Sequence, residues 1–247
     1  MLWQPIIMKM RIDKFLTATG TTTRSEASKA AKQGRILLNG APCKSTSQQI
    51  DPERDVIQFD GEIVEYRQYT YILLNKPEGY VSATEDPREK TVLDLLPEKM
   101  RSIGLFPCGR LDKNTLGVML LTNNGDLGHK LLSPRYHVTK TYRYVAKNEL
   151  SDEDVNRLQA GVPILGGYVT LPAILSPDTD RTKGEISITE GKYHQIKLMF
   201  EAIENKILYL ERTRFGPLAP DASLSRGDWR YLTDEEVAAL ENHCKQR

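Results

Sequence analysis

Apolar positions along this chain change period several times, and each change marks an element. Ile12, Phe15 and Leu16 recur at i, i+3 and i+4, which predicts a short amphipathic helix. Thr23-Arg24-Ser25-Glu26 has the form of a capping box and opens a second helix, rich in Ala and Lys, that Gly34 ends. Arg35 to Asn39-Gly40 reads as a strand running into a tight turn, and a second strand, Asp55 to Phe59, meets Asp60-Gly61. Tyr71-Ile72-Leu73-Leu74 is an apolar strand that ends at Asn75-Lys76-Pro77, where Gly79 permits a turn. Gly117 to Thr122 reads as a buried strand. Tyr142 to Val145 and Glu185 to Ile188 alternate, as half-buried strands do. Ser151-Asp152-Glu153-Asp154 caps a helix that Gly161 closes, and Thr233-Asp234-Glu235-Glu236 caps the last one. Two helices with short strands, followed by hairpin-like strands with interspersed helices, predict an α+β protein. Its larger part would hold a mixed, largely antiparallel sheet with flanking helices.

The pattern divides the chain. Residues 10–66 form a first small domain, 67–70 a linker and 71–247 a second domain, with residues 1–9 a leading extension expected to be without fixed structure. No apolar run approaches the ~20 residues that span a bilayer. The first ten residues lack the apolar core and cleavage site of a signal peptide, so no membrane partner and a cytoplasmic location are expected. Cys43, Cys108 and Cys244 are scattered and odd in number, and the four histidines show no ligand spacing. Neither a disulfide framework nor a metal is expected.

Net charge is only +1, but its distribution is uneven. Lys9, Arg11, Lys14, Arg24, Lys29, Lys32, Arg35 and Lys44 are opposed before Ile50 only by Asp13 and Glu26. Such a surplus in a small module is either an electrostatic footprint for phosphate or a solvated basic face.

Candidate chemistry lies in three strings. Gly109-Arg110-Leu111-Asp112 runs into Thr115, Gly117 and Thr122-Asn123-Asn124-Gly125-Asp126. Lys140-Thr141-Tyr142 opens an alternating strand. Glu190-Gly191-Lys192-Tyr193-His194-Gln195-Ile196-Lys197 precedes Leu198-Met199-Phe200. Taken singly, Asp112 could be a turn residue, Arg110 a surface ion pair, Tyr142 a core strand residue and Lys197 a structural cation.

Taken together, these strings resemble the RsuA family of ribosomal RNA pseudouridine synthases, over Met10 to about Leu240. The segment from Arg11 to Gly40 separately resembles the RNA-binding domain first described in the fourth protein of the small ribosomal subunit. The resemblance implies isomerisation of uridine to pseudouridine in ribosomal RNA. Asp112 would be the nucleophile, without metal or organic cofactor. Tyr142 would stack on the flipped uracil, and its hydroxyl could help remove the C5 proton. Lys197 would stand beside Asp112 and favour its carboxylate form. Many relatives carry arginine at that place, so lysine keeps the charge and loses the bidentate fork. Arg110 would help to flip the base, and His194 would be a structural hydrogen-bonding residue. Lys76-Pro77-Glu78-Gly79-Tyr80 would support the cleft. Arg135, in Ser133-Pro134-Arg135, would contact phosphate or be plain loop.

Arg11, Lys14, Arg24, Lys29, Lys32 and Arg35 would bind RNA by phosphate and shape. Ser133-Pro134-Arg135-Tyr136-His137 followed by Lys140-Thr141-Tyr142 looks like the 16S, small-subunit branch, and the protein is expected to act as a monomer. A synthase for large-subunit 23S RNA shares all the chemistry. A non-catalytic ribosome-assembly factor on the same scaffold is the reading from a different class.

Overall fold

The computed structural model describes residues 9–66, 68–101 and 103–245. The leading extension, apart from Lys9, and Arg67 of the linker lie outside them. The chain divides into two compact units: the part up to Thr70 joined by Leu96–Leu105, and Tyr71–Leu95 joined by the part from Phe106 onward.

The first unit contains β1 (Met10–Arg11), α1 (Ile12–Ala18), α2 (Arg24–Lys32), β2 (Ile36–Leu38), β3 (Ala41–Pro42), β4 (Gln49–Ile50), β5 (Ile57–Phe59), β6 (Glu62–Val64) and α3 (Glu98–Arg101). The i, i+3, i+4 stripe of α1 is its buried face. It packs on Ala27, Ala30 and Ala31 of α2 and on Ile36, Ile50 and Ile57. Small alanines let the two helices approach closely, and the burial offsets the weak intrinsic stability of so short a pair. The strand order is β3-β2-β5-β6, all antiparallel. Asn39-Gly40 and Asp60-Gly61 both hold positive φ, as tight hairpin turns require.

Two details depart from the sequence expectation. The capping box of α2 is half formed. The Thr23 hydroxyl accepts from the Glu26 amide at 3.3 Å, but the Glu26 carboxylate accepts from Arg35 at 2.9 Å. The second difference is Leu96–Leu105, which the linear reading placed in the second domain. Met100 Sδ stands 3.0 Å from the point that a Cβ on Gly20 would occupy, so this segment completes the first unit. No local pattern marks such an excursion.

The second unit contains β7 (Tyr71–Lys76), β8 (Phe106–Cys108), β9 (Leu116–Thr122), α4 (Gly125–Leu132), β10 (Lys140–Ala146), α5 (Asp152–Ala160), β11 (Ile174–Pro177), β12 (Lys183–Ile188), α6 (Gln195–Glu201), β13 (Ile207–Phe215), β14 (Trp229–Tyr231) and α7 (Asp234–His243). Its sheet runs β11-β12-β10-β13-β9-β7-β14, with β8 also paired to β9. Among the described strands, only β9 and β13 pair in parallel. This is the mixed, largely antiparallel α+β architecture that the patterning predicts. Leu127 and Leu131 of α4 and Leu240 of α7 join Leu73, Val118, Leu120 and Phe215 in one apolar cluster. Helices α5 and α7 both carry complete capping boxes, on Ser151–Asp154 and Thr233–Glu236.

The parallel contact depends on Gly117. It faces Arg212 across the ladder at φ +103°, and a Cβ there would fall 2.2 Å from the Arg212 carbonyl oxygen. Neither the angle nor the space suits another residue. Gly117→Ala is expected to destabilise the fold by about 2–4 kcal/mol, read as a lowered urea midpoint. An unchanged midpoint would mean that β9 and β13 separate freely.

Candidate active site

The loop between β8 and β9 carries Asp112 into a cleft of 630 Å3 lined by Glu78, Gly79, Asp112, Lys113, Asn114, His194 and Lys197. Pockets of this size commonly hold small ligands. The acid and the cation are 85 residues apart in sequence, yet Lys197 Nζ donates to Asp112 Oδ2 at 2.5 Å. The same ammonium donates to Asn114 Oδ1 at 2.8 Å. His194 Nε2 stands 3.4 Å from the other carboxylate oxygen, Oδ1. One oxygen is therefore held by a cation that Asn114 steadies, while the second has looser company. The side chains of Asp112 and Lys197 are 26% and 21% exposed, so the pair is partly shielded from water.

Lys197 lies on helix α6. His194 is the N-cap of that helix, with φ 49° and ψ 27°, and its side chain makes no capping bond. The left-handed turn brings the imidazole to the acid. A distinctive string around His194 was visible in the sequence, but its approach to Asp112 was not. Asn114 gave no sequence signal.

The loop is fastened from below by Lys76, at the end of β7. This side chain is fully buried and its ammonium donates to the carbonyl oxygens of Pro77, Asp112, Lys113 and Thr115 at 2.8–3.3 Å. Ser82 adds a second clamp, since its hydroxyl donates to the Leu111 carbonyl at 2.7 Å and accepts from the Leu111 amide at 2.9 Å. The Gly79 amide donates to Lys113 at 2.8 Å. Lys76-Pro77-Glu78-Gly79, expected only to support the cleft, thus both fastens the loop and lines the cavity. An ammonium suits the fastening because it has donors alone, and the loop presents carbonyls.

Burial of Lys76 has a measurable consequence. Burial pushes its pKa down to about 8, and burial does the same to Lys140, which is 8% exposed; Arg212 adds to both shifts. Below pH 8 both lysines are protonated whether the chain is folded or not. Between pH 8 and 10.5 the folded chain releases protons that the unfolded chain still holds, so stability rises with pH. Cys108, pushed up to about 12 from 9.0 by burial, and Cys43 and Cys244, raised for the same reason, oppose part of this as pH approaches 9 and more above it. The unfolding free energy, read by urea titration, is expected to rise from pH 8 to 9, by up to about 1 kcal/mol per lysine. Lys140→Met should lose about half of that rise, and equal slopes for the two proteins would remove Lys140 from the account.

The other predicted residues sit less centrally. Tyr142 is 7% exposed and pairs with Ile186 and Arg212 across the sheet. It shares a face of β10 with Tyr144, whose ring packs 5.0 Å from Phe200 of α6. It is not among the described residues that line the cleft. Arg110 and Arg135 are exposed, without a hydrogen bond or ion pair from their side chains to any described residue. Lys14, Arg24, Lys29 and Lys32 are likewise exposed and unpaired among the described residues.

Arg11 and Arg35 differ. Arg11 pairs with Asp13 at 2.5 Å. Arg35 binds Asp60 through two hydrogen bonds of 2.6 Å, binds Glu26 as well, and lies over the Phe59 ring. Its charge is already matched within the domain, by an acid beyond the stretch in which the surplus was read. Among the described residues, no group of three or more His, Cys, Asp or Glu is placed to hold a metal.

Comparison with known proteins agrees with this arrangement. Residues 70–202 match the RNA pseudouridylate synthase family, and residues 10–57 match the S4 domain. The chain is 46% identical to the Bacillus subtilis (strain 168) protein named uncharacterized RNA pseudouridine synthase YtzG, over 94% of this chain and 98% of that one. It is 35% identical to the ribosomal small subunit pseudouridine synthase A of Escherichia coli (strain K12), over 94% of this chain and all of the other. A crystal structure of a pseudouridylate synthase, 35% identical, superposes with a TM-score of 0.66 over 94% of this chain and 99% of its own. The chain belongs to the RsuA family of pseudouridine synthases, isomerases that here carry an S4 domain ahead of the catalytic one.

Proposed function

We propose that this protein isomerises one uridine of 16S ribosomal RNA to pseudouridine, with Asp112 as nucleophile on a flipped-out base. The observation that carries the reading is the cleft itself. Asp112 Oδ2 is tied to Lys197, and Oδ1 is left to act. In the proposed reaction Oδ1 attacks the ribose C1′, and the N1–C1′ electron pair leaves with the uracil ring. The ring turns and C5 rejoins C1′, displacing the carboxylate. The C5 proton is lost and N1 takes one up, so the product is an isomer and no oxidant or cofactor enters. On the resemblance of Lys140-Thr141-Tyr142 to the family's strings, Tyr142 is the candidate ring against which the uracil packs, and its hydroxyl the candidate acceptor of the C5 proton. Arg110 would occupy the place of the departed base, and Arg135 would bind phosphate.

Lys14, Arg24, Lys29 and Lys32 would anchor the RNA through its phosphates, with smaller parts for Arg11 and Arg35, whose charges have partners. The small-subunit assignment is supported by the relatives named ribosomal small subunit pseudouridine synthase A. The enzyme would act in the cytoplasm, as a monomer. Pseudouridine mapping in ribosomal RNA from cells with and without the gene tests it. One 16S site should disappear on deletion and return with the wild-type gene. Loss of a 23S site instead would move the target to the large subunit. No change in either RNA would count against the activity on ribosomal RNA.

A further inference from the structure

The loop ahead of α6 presents an aromatic ring beside the cleft for which the reaction has no use. Tyr193 is 66% exposed, and its ring lies on that of His194 with centroids 3.9 Å apart and planes 16° from parallel. His194 in turn lines the cleft and stands near Asp112 Oδ1. From the acid outward there is therefore an imidazole, then a phenol stacked upon it, then solvent. A single exposed tyrosine needs no explanation. This one has a costly support. His194 holds a left-handed backbone that a residue with a Cβ adopts rarely, and such strain gathers at sites that use it.

The loop is also fastened. The buried Gln195 accepts from the Lys192 amide at 2.8 Å and donates to Glu190 at 2.7 Å. Glu190, also buried, accepts from the Tyr168 hydroxyl at 2.6 Å and the Leu171 amide at 2.9 Å. Lys192 Nζ lies 4.4 Å over the Tyr168 ring, which ties the side chain before Tyr193 to the same fastening. A ring held in place before binding loses little entropy when a ligand covers it.

We infer that the Tyr193–His194 stack is a platform for the nucleotide next to the reacting uridine. The inference rests on the proposed activity and deepens it. A base that leaves its stack strips one face from its neighbour, and that face seeks a flat partner. The outer face of Tyr193 is such a partner, one ring away from the imidazole that faces Asp112. Stacking tolerates any base, so the platform would hold the strand and leave its sequence unread.

The experiment follows single-turnover pseudouridine formation on 16S ribosomal RNA taken from a strain that lacks the gene, over a range of enzyme concentrations. Filter retention of the same RNA is measured in parallel. Tyr193→Ala is expected to raise the half-saturating concentration roughly 5- to 100-fold and to change the limiting rate far less. Tyr193→Phe should behave as wild type, because the ring and not the hydroxyl stacks. Tyr193→Leu, which still covers His194 with apolar surface, should behave as alanine does, even if the alanine variant melts early. Half-saturation equal to wild type in the alanine and leucine variants would overturn the platform, as would a phenylalanine variant as weak as alanine. If wild type forms no pseudouridine in this RNA, the proposed activity fails by itself. Retention then decides the platform alone: weaker retention by the alanine and leucine variants supports it, and equal retention overturns it.

Discussion

Asp112→Asn should reduce pseudouridine formation by at least about 10^3-fold while the protein stays folded and still binds RNA. The substitution keeps the size of the side chain and an oxygen that can accept from Lys197 Nζ. It removes the charge and the nucleophile. Single-turnover isomerisation with excess enzyme reads the chemical step, and RNA retention and a melting curve read the rest. The loop should hold its shape, because Lys76 and Ser82 fasten it through backbone atoms of Leu111 to Thr115 that the substitution leaves in place. A variant that modifies RNA at near the wild-type rate would show that Asp112 is not the nucleophile.

Lys197→Met is expected to come second in size, with the chemical step slowed roughly 100-fold or more and RNA affinity much less affected. Methionine leaves one oxygen of a half-buried carboxylate without its cation and leaves Asn114 Oδ1 without its donor. A fully buried pair broken on one side costs ~3–5 kcal/mol. Here both side chains retain a fifth or more of their exposure, so a smaller loss of stability, about 1–3 kcal/mol, should accompany the kinetic defect. Lys197→Arg should keep substantial activity, since charge and not the shape of the ammonium holds the acid. Equal rates for wild type and Lys197→Met would make this lysine structural only. A rate defect wholly explained by weaker binding would make it a phosphate contact.

Much of the fold was legible because its signals are local. Ile12, Phe15 and Leu16 share a helix face through the 3.6-residue period alone, and Asn39-Gly40 turns because both residues tolerate positive φ. Ser151 and Thr233 cap with residues three positions away. Where the partner lay far along the chain, the local reading went astray. Glu26 was assigned to its own N-cap, but Arg35 arrives from the next strand and a full charge attracts the carboxylate more strongly than an amide does. Arg35 counted towards a phosphate-binding surplus until Asp60 reached it across the hairpin. Leu96–Leu105 showed no break in pattern to reveal that it packs with the first unit.

The candidate site divides along the same line. The sequence by itself determined the α+β class, the S4 and synthase parts and the strings that hold Asp112, Tyr142 and Lys197. Residue type and short-range spacing are enough for those. Only the tertiary structure decided that Lys197 grips one oxygen of Asp112 while His194 meets the other, and that Asn114 steadies the cation. It alone decided that a buried lysine on β7 fastens the loop, and that Tyr142 is buried in the sheet instead of on the cleft wall. Those facts depend on the register of β7, β9 and β13 and on one left-handed residue ahead of α6. A hydrogen bond of 2.5 Å between residues 85 apart is set by how whole strands and helices pack, and no spacing along the chain encodes it.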